Sequence, residues 1–302
     1  MSRASSRETL GVMHQSSVPP PSARDLLEEA RRLGLRAFYM RPQELAACVS
    51  GEEPSLIRRG ELLRLDVLLV RGLGHPLSVE QLAYRLSLLR HIELQGTLVT
   101  NSSLSIELAR NKFLALLKLR EAGVPVPPTL ITESLPLALR FVEKWGSVVV
   151  KPVIGSMGRG VILLRDPDIA YAVFRQLLTW SQPLMLQKYY EKIGNRDLRV
   201  LVINGEPYVA YYRVAREGSF KTNVAQGAKI EPAGSSFGDL GELAIRAAKA
   251  LGLFYAGVDI METSEGSFVL EVNASPNWKG AKILGYNPAA KLIEELIKAR
   301  RR

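Results

Sequence analysis

Two short segments of alternating apolar and polar residues near the C-terminus, 257–260 and 270–273, flank the polar stretch Thr263-Ser264-Glu265-Gly266-Ser267. That pattern predicts an antiparallel hairpin, Tyr255–Glu262 with Ser267–Ala274. If the turn is centred on Glu265, Asp259 and Glu271 lie equally far from it and oppose each other. Asn273, two residues further on, shares their face because strand side chains alternate. Val258, Ile260, Leu270 and Val272 are then expected to face the core. Directly opposed β-carbons lie about 4.5–5.5 Å apart, so the two carboxylates repel. A divalent cation would offset that, and oxygen donors without sulfur or imidazole suit a hard ion such as Mg²⁺. The alternatives are an acidic face left in solvent, or a carboxylate paired with a nearby Lys or Arg.

Upstream, the chain alternates strand and helix signals. Strands are expected at Thr9–Met13, Leu35–Met40, Asp66–Arg71 and Thr97–Thr100. A helix capped by Ser22 should run over 23–33, and one capped by Ser78 should run to Glu93. This rhythm predicts a small open parallel sheet over about the first hundred residues. One helix from Ser105 to Ala122 follows, then an extended segment enforced by Pro125, Pro127 and Pro128. After a helix near Leu135–Trp145 and a strand at Val148–Lys151, strands dominate: 160–164, 184–189, 198–203 and 208–214. Asn204-Gly205 is a two-residue hairpin turn. Helices are expected at Asp239–Leu251 and Pro288–Arg300.

Lys151 ends a strand and opens the loop Pro152-Val153-Ile154-Gly155-Ser156-Met157-Gly158-Arg159-Gly160. Three glycines in six residues allow backbone N–H groups to close around an oxyanion. A plain hairpin that needs glycine for its dihedrals is the other reading. The loop is no Walker A motif, since Val161 and Ile162 stand where Lys and Ser/Thr are needed. The strand Leu184–Tyr190 could hydrogen-bond a flat base between apolar walls, or be an ordinary edge strand. Arg199 and Arg213 fall on adjacent strands and could bind carboxylate or phosphate bidentately, or form salt bridges. The three histidines show no metal-ligand spacing, and no Ser/His/Asp or Cys/His arrangement is signalled.

Composition narrows the class. The 302 residues carry 40 Lys+Arg against 30 Asp+Glu, a net charge of +10, with one cysteine. Cys48 alone excludes an internal disulfide and a multi-cysteine zinc site. No apolar run of transmembrane length occurs, so no membrane partner and a cytoplasmic protein are expected. The charge has three readings: a solvated basic surface, nucleic acid, or a polyanionic small substrate. Scattered aromatics give no stacking platform for nucleic acid.

The order of these pieces resembles the ATP-grasp superfamily, and more narrowly the RimK/LysX-type amino-acid ligases, over about residues 9–300. Lys151–Gly160, Gln187-Lys188-Tyr189 with Arg196-Asp197-Leu198-Arg199, Phe220–Asn223 and Glu271–Pro276 carry the resemblance. It implies an α/β ATP-grasp fold: an N-terminal parallel-sheet domain (1–103), a central lobe with a glycine-rich lid (104–186) and a C-terminal lobe with the metal site (187–302). Lys112, Lys151 and Lys221 would contact ATP phosphates under a lid of Gly155, Ser156, Met157, Gly158 and Gly160. Gln187, Lys188, Tyr189 and Tyr190 would line the adenine pocket, with Asp197 on the ribose side. Asp259, Glu271 and Asn273 would hold two Mg²⁺ ions, with Mn²⁺ an alternative. Arg199, Arg213, Asn223 and Ser275 would face the acceptor and the amino acid, with Arg199, Arg213 and Lys221 in catalytic roles.

Two positions depart from the family. Lys188 stands where an acidic residue is usual, and Lys221 replaces an arginine. The implied reaction is ADP-forming ligation of an amino acid, commonly glutamate, to an acceptor carboxylate through an acylphosphate. Arg71–Gly74 and Asn273–Gly280 look most like tetrahydromethanopterin:glutamate ligases, the lid also like LysX enzymes, and ribosomal-protein glutamate ligases are the third acceptor class. No nucleic acid is required, and a homo-oligomer is expected. The rival readings are a catalytically inactive ATP-binding homologue and a basic nucleic-acid-binding protein.

Overall fold

The computed structural model describes residues 8–49, 55–155, 158–216, 228–234 and 238–301. The chain opens with β1 (Thr9–His14), α1 (Pro21–Arg32) and β2 (Arg36–Met40). Pro21 occupies the first turn of α1, where its missing N–H costs nothing. The cap position is Pro20 rather than the expected Ser22. A three-stranded antiparallel sheet that the sequence did not signal follows: β3 (Leu45–Cys48), β4 (Ser55–Arg58) and β5 (Glu61–Leu62). Then come β6 (Val67–Gly72), α2 (Val79–Leu94) and β7 (Leu98–Thr100). Strands β2-β1-β6-β7 form the expected parallel sheet. Ser78 and Gln81 close a capping box at the start of α2, a device worth about 1 kcal/mol.

The single helix expected over 105–122 is two: α3 (Ser103–Arg110) and α4 (Lys112–Glu121). Asn111 breaks them. Its Oδ1 accepts from Leu114 N at 3.1 Å, capping α4, and its backbone bridges to Ile154. The break sets Lys112 at the N-terminus of α4, against the glycine-rich loop.

The central lobe holds β8 (Thr129–Thr132), α5 (Leu135–Trp145), β9 (Val148–Lys151), β10 (Ile162–Leu164), α6 (Pro167–Thr179) and β11 (Leu184–Lys188). Its antiparallel sheet runs β10-β9-β11-β8. Helix α6, capped by Asp166, fills the gap between the strands expected at 160–164 and 184–189, where no element was expected. Val148, Val150, Leu184 and Leu186 pack with Ala138, Val142, Ala170 and Phe174 into a cluster confined to this lobe.

The C-terminal sheet runs β14-β13-β12-β15-β16. It comprises β12 (Arg196–Ile203), β13 (Glu206–Val214), β14 (Lys229–Pro232), β15 (Tyr255–Thr263) and β16 (Gly266–Asn273). Asn204 (φ 52°) and Gly205 (φ 78°) make the turn between β12 and β13. Positive φ at both positions is the type I′ signature, which matches strand twist. Helices α7 (Gly238–Ala250), α8 (Lys279–Ile283) and α9 (Pro288–Arg301) complete the chain. Two hydrophobic clusters each draw residues from both ends of the chain: Met13, Leu68 and Leu89 with Val200, Val258 and Val272, and Leu10, Leu26 and Leu69 with Tyr255, Leu292 and Ile293. The N- and C-terminal lobes therefore share a core, which Ile106 of α3 and Ala115 and Leu119 of α4 also enter, while the β10-β9-β11-β8 sheet keeps its own. No described helix is long and apolar enough to cross a membrane.

Candidate active site

Asp259 and Glu271 are direct partners in the β15–β16 hairpin, as the sequence predicted, but by another route. The turn is the two-residue Ser264-Glu265, so Thr263 pairs with Gly266 and Ile260 with Val269. A bulge at Leu270 then shifts the register by one and brings Asp259 opposite Glu271. Bulges re-aim side chains. Val269, not Leu270, enters the core with Val258, Ile260 and Val272. Leu270 instead joins Met261 in the wall of a cleft, which corrects the expected facing of Leu270.

The repulsion between the carboxylates is offset by protein cations, the Lys or Arg pairing that stood as an alternative to a metal ion. Arg199 lies opposite Asp259 across β12 and β15. Its Nε donates to Asp259 Oδ1 and its Nη2 to Oδ2 at 2.9 Å. Arg213 Nη2 reaches the same Oδ2 at 3.0 Å, and its Nε donates to Asp197 Oδ1 at 2.8 Å. Lys192 Nζ is 3.4 Å from Asp197 Oδ2. Arg199, Arg213, Asp197 and Asp259 are all buried. Burial works against ionisation of Asp259, but Arg199 and Arg213 outweigh it and hold its carboxyl below the usual range. Likewise burial opposes the charge on Arg213, and Asp259 and Asp197 outweigh it and raise its pKa. The salt-bridge reading of Arg199 and Arg213 is thus realised in the interior rather than at the surface. Glu271 is less committed, with Lys112 Nζ at 3.7 Å.

The donor set fits a hard cation. A carboxylate offers about four lone-pair sites, and Asp259 spends three on the two arginines. Glu271 keeps acceptor capacity, and Asn273 uses an amide hydrogen on Gly257 O at 3.4 Å. Two carboxylates and a carboxamide, with no sulfur or imidazole among them, make an oxygen site. Among the described residues no group of three acidic, His or Cys side chains forms a metal cluster.

Beside this hairpin lies a cleft between the central and C-terminal sheets. Lys112, Lys151, Gly155, Gly158, Gln187, Lys188, Tyr189, Tyr190, Asp197, Arg213, Asp259 and Glu271 line it, all of them singled out in the sequence. Gly160 does not line it. Ser156, Met157, Lys221 and Asn223 lie outside the described residues. Lys112 Nζ donates to Gly155 O at 2.7 Å. A β-carbon at Gly155 would meet Pro152 Cγ at 2.8 Å, so only glycine fits that close approach. Lys151 Nζ donates to Gln187 Oε1 at 2.5 Å, and Gln187 Nε2 donates to Thr129 Oγ1 at 3.1 Å. Desolvation, only partly offset by Glu271 and reinforced by Lys112, lowers the Lys151 pKa to about 8. Lysines held together in this way are suited to an anionic ligand.

The strand β11 offers a base less than the sequence suggested. The N–H groups of Lys188 and Tyr189 are spent on Pro128 O and Ser147 O, and the Gln187 side chain on Lys151 and Thr129. Tyr190 stacks on Phe268 at 5.1 Å between centroids. Lys188 lies 4.5 Å above the Tyr190 ring and 3.5 Å from Glu265. Val149, Val161, Met261 and Leu270 are apolar lining that sequence reasoning missed. Alternation signalled Met261, two residues beyond Asp259; nothing signalled the bulge that turns Leu270.

A second cleft of about 490 Å³ opens between the N- and C-terminal lobes. It shares Gly155, Arg213, Asp259 and Glu271 with the first, so the two meet at the carboxylate pair. Arg199, Asn273 and Ser275 line it, and Ser275 Oγ donates to Val70 O at 2.7 Å. Arg71, Arg110 and His14 also line it; Arg71 stood out only within the stretch Arg71–Gly74, and Arg110 and His14 had no predicted role, because the three lie far apart along the chain.

Comparison with known proteins agrees with this geometry. A model of the RimK-like ATP-grasp domain matches residues 109–296. The chain is 32% identical to the tetrahydromethanopterin:alpha-L-glutamate ligase of Methanosarcina acetivorans, over 91% of this chain and 94% of that protein. It is 31% identical to the "Probable alpha-L-glutamate ligase" of Thioalkalivibrio sulfidiphilus, over 90% of each. Among solved structures, the ATP-grasp ligase PsnB, complexed with a precursor variant, Mg and ADP, superposes with a TM-score of 0.75 at 24% identity, over 96% of this chain and 97% of that one. That likeness establishes the ATP-grasp fold. Two clefts meeting at a carboxylate pair, the family match and the full-length relatives agree: the chain belongs to the RimK-like ATP-grasp family, ADP-forming ligases that make amide bonds.

Proposed function

We propose that this chain joins the amine of L-glutamate to a carboxylate of an acceptor, at the expense of ATP. The observation that carries the reading is that Asp259 and Glu271 line both clefts. A nucleotide in the first cleft and a carboxylate in the second would meet there. The names of the relatives support glutamate as the amine. Tetrahydromethanopterin, named for the Methanosarcina relative, is the first acceptor to try; LysX-type and ribosomal-protein acceptors follow.

On this reading ATP lies between the central lobe, with β11, and the C-terminal lobe. Lys112 and Lys151 hold its phosphates, with Tyr189, Tyr190, Met261 and Leu270 around the base. Asp259, Glu271 and Asn273 would hold Mg²⁺, which would neutralise charge on the phosphates when bound. An oxygen of the acceptor carboxylate attacks the γ-phosphorus, the bond to the β–γ bridging oxygen breaks, and ADP leaves. The unprotonated amine then attacks the acyl carbon, phosphate leaves, and the nitrogen loses a proton as the amide forms. Arg199 and Arg213 orient the carboxylates and stabilise the oxyanion. Ser275, Lys221 and Asn223 keep the roles that the resemblance assigns them. No protein nucleophile is needed, which fits a cleft lined by lysines, arginines and carboxylates.

The test is mass spectrometry of cell extract incubated with the purified protein, ATP, Mg²⁺ and isotope-labelled glutamate. A product carrying the label, formed with stoichiometric phosphate release, is expected. Absence of both label transfer and phosphate release, across extracts and the three acceptor classes, would sink the proposal.

A further inference from the structure

The second cleft carries positive charge that the ligation scheme does not use. Arg71, at the end of β6, is buried. Its Nη2 donates to Pro276 O at 2.7 Å, its Nη1 to Tyr255 Oη at 3.2 Å, and its guanidinium lies 4.2 Å over the Trp278 ring. Among the described residues it pairs with no carboxylate, and its buried Nε–H has no acceptor. Arg110, at the end of α3, reaches the same wall, where its Nη2 donates to Gly74 O at 3.4 Å. It too pairs with no carboxylate, and its Nε–H is buried without an acceptor. Behind it Arg85 is buried and donates to Leu73 O, adding a like charge.

His14 completes the group. Its Nδ1 accepts from Ser16 N at 3.1 Å, so the neutral ring carries its proton on Nε2 as a donor. Its ring packs where a β-carbon of Gly72 would sit, at 2.6 Å, which fixes the imidazole against the β6 end. The only carboxylates lining the cleft among the described residues are Asp259 and Glu271, and these already face Arg199, Arg213 and Lys112. Burying guanidinium groups without counter-charge is unfavourable, and a bidentate fork matches carboxylate and phosphate oxygens.

We propose that Arg71, Arg110 and His14 form an anion subsite for a second acidic group of the acceptor, remote from the carboxylate that reacts. The acceptor is then a polyanion, with one carboxylate at Asp259/Glu271 and another carboxylate or phosphate at Arg71/Arg110. This rests on the ligase reading for the word acceptor; the subsite itself is a binding claim.

Calorimetry tests it on the full chain with saturating ADP and no metal. Propane-1,2,3-tricarboxylate and inorganic phosphate are titrated separately. The tricarboxylate should bind the wild type at one site, and Arg71→Met and Arg110→Met should each weaken it at least tenfold, with ADP affinity changed less than twofold. Arg110→Met acts on a part-exposed helix end, so it keeps the test open if Arg71→Met does not fold. Preference for phosphate over the tricarboxylate, lost in the same variants, would support the subsite and assign it to a phosphoryl group. The proposal is overturned if neither anion binds the wild type, or if both variants bind as tightly as the wild type. Failure of ADP to bind counts against the ligase reading, whereas the anion titration decides the subsite.

Discussion

Asp259 and Glu271 face each other across one hairpin, yet their surroundings differ. Asp259 is buried under two arginines, whereas Glu271 is part-exposed with one lysine at 3.7 Å. The pair divides into a carboxylate that also holds the sheet together and one left available for chemistry. Substitution at the two positions should therefore have different consequences.

Glu271→Gln should leave the fold intact and cut Mg²⁺-dependent phosphate release by about 10²–10³, the scale of losing one electrostatic contact to a transferring group. Denaturant unfolding should move little, because its side chain is 29% exposed and its lysine is distant. Wild-type turnover in this variant would remove Glu271 from the metal assignment.

Asp259→Ala should behave otherwise. It leaves Arg199 and Arg213 buried with one counter-charge lost, a change that costs about 3–5 kcal/mol. The same carboxyl has a depressed pKa in the folded state. Its contribution is therefore complete above the ordinary carboxylate pKa of about 4 and is lost as pH falls through the lower folded value. Urea unfolding at pH 7 and at pH 3 should show the variant's deficit shrinking at the lower pH; an equal deficit at both would refute the assignment.

Lys151, with a pKa near 8, predicts a pH-dependent nucleotide affinity. Below pH 8 the free protein carries the charge that phosphates need. Above it the charge must be restored on binding, so affinity for ADP falls, approaching about tenfold per pH unit. Fluorescence titration between pH 7 and 9.5 should show this bend, and Lys151→Met should flatten it while weakening binding throughout. A bend unchanged in Lys151→Met would assign the titration to another group.

Asn111 predicts an effect from outside the cleft. Asn111→Ala removes the cap of α4, at a cost of about 1 kcal/mol, and loosens the turn that seats Lys112 against Gly155. KM for ATP should rise more than kcat falls. Steady-state kinetics with varied ATP measure the split, and a pure kcat defect would mean that Lys112 is positioned by other contacts.

Much of the site was legible because it is local. Glu271 and Asn273 share a face by period-two alternation, whereas Asp259 comes opposite Glu271 only through the bulge at Leu270; Arg199 and Arg213 lie on strands joined by a turn that Asn204-Gly205 announces. Lys112 was legible as a residue but not as a helix N-terminus, because Asn111 reads as an ordinary helical position until its bridge to Ile154 breaks the ladder. Leu270 was misassigned because a bulge is an event of strand pairing, set by the partner strand.

The sequence by itself determined most of the strands, the Asn204-Gly205 turn, the glycine-rich loop and the existence of the carboxylate hairpin, since each follows from dihedral preference and side-chain alternation within a few residues; the β3-β4-β5 sheet and β14 carried no such signal. Tertiary structure alone decided which cations neutralise Asp259 and that two clefts meet at it. It alone gathered His14, Arg71 and Arg110 into one wall. Those relations join residues tens to hundreds of positions apart. Burial and Coulomb energy are paid between such residues only after the N- and C-terminal lobes close over their shared core.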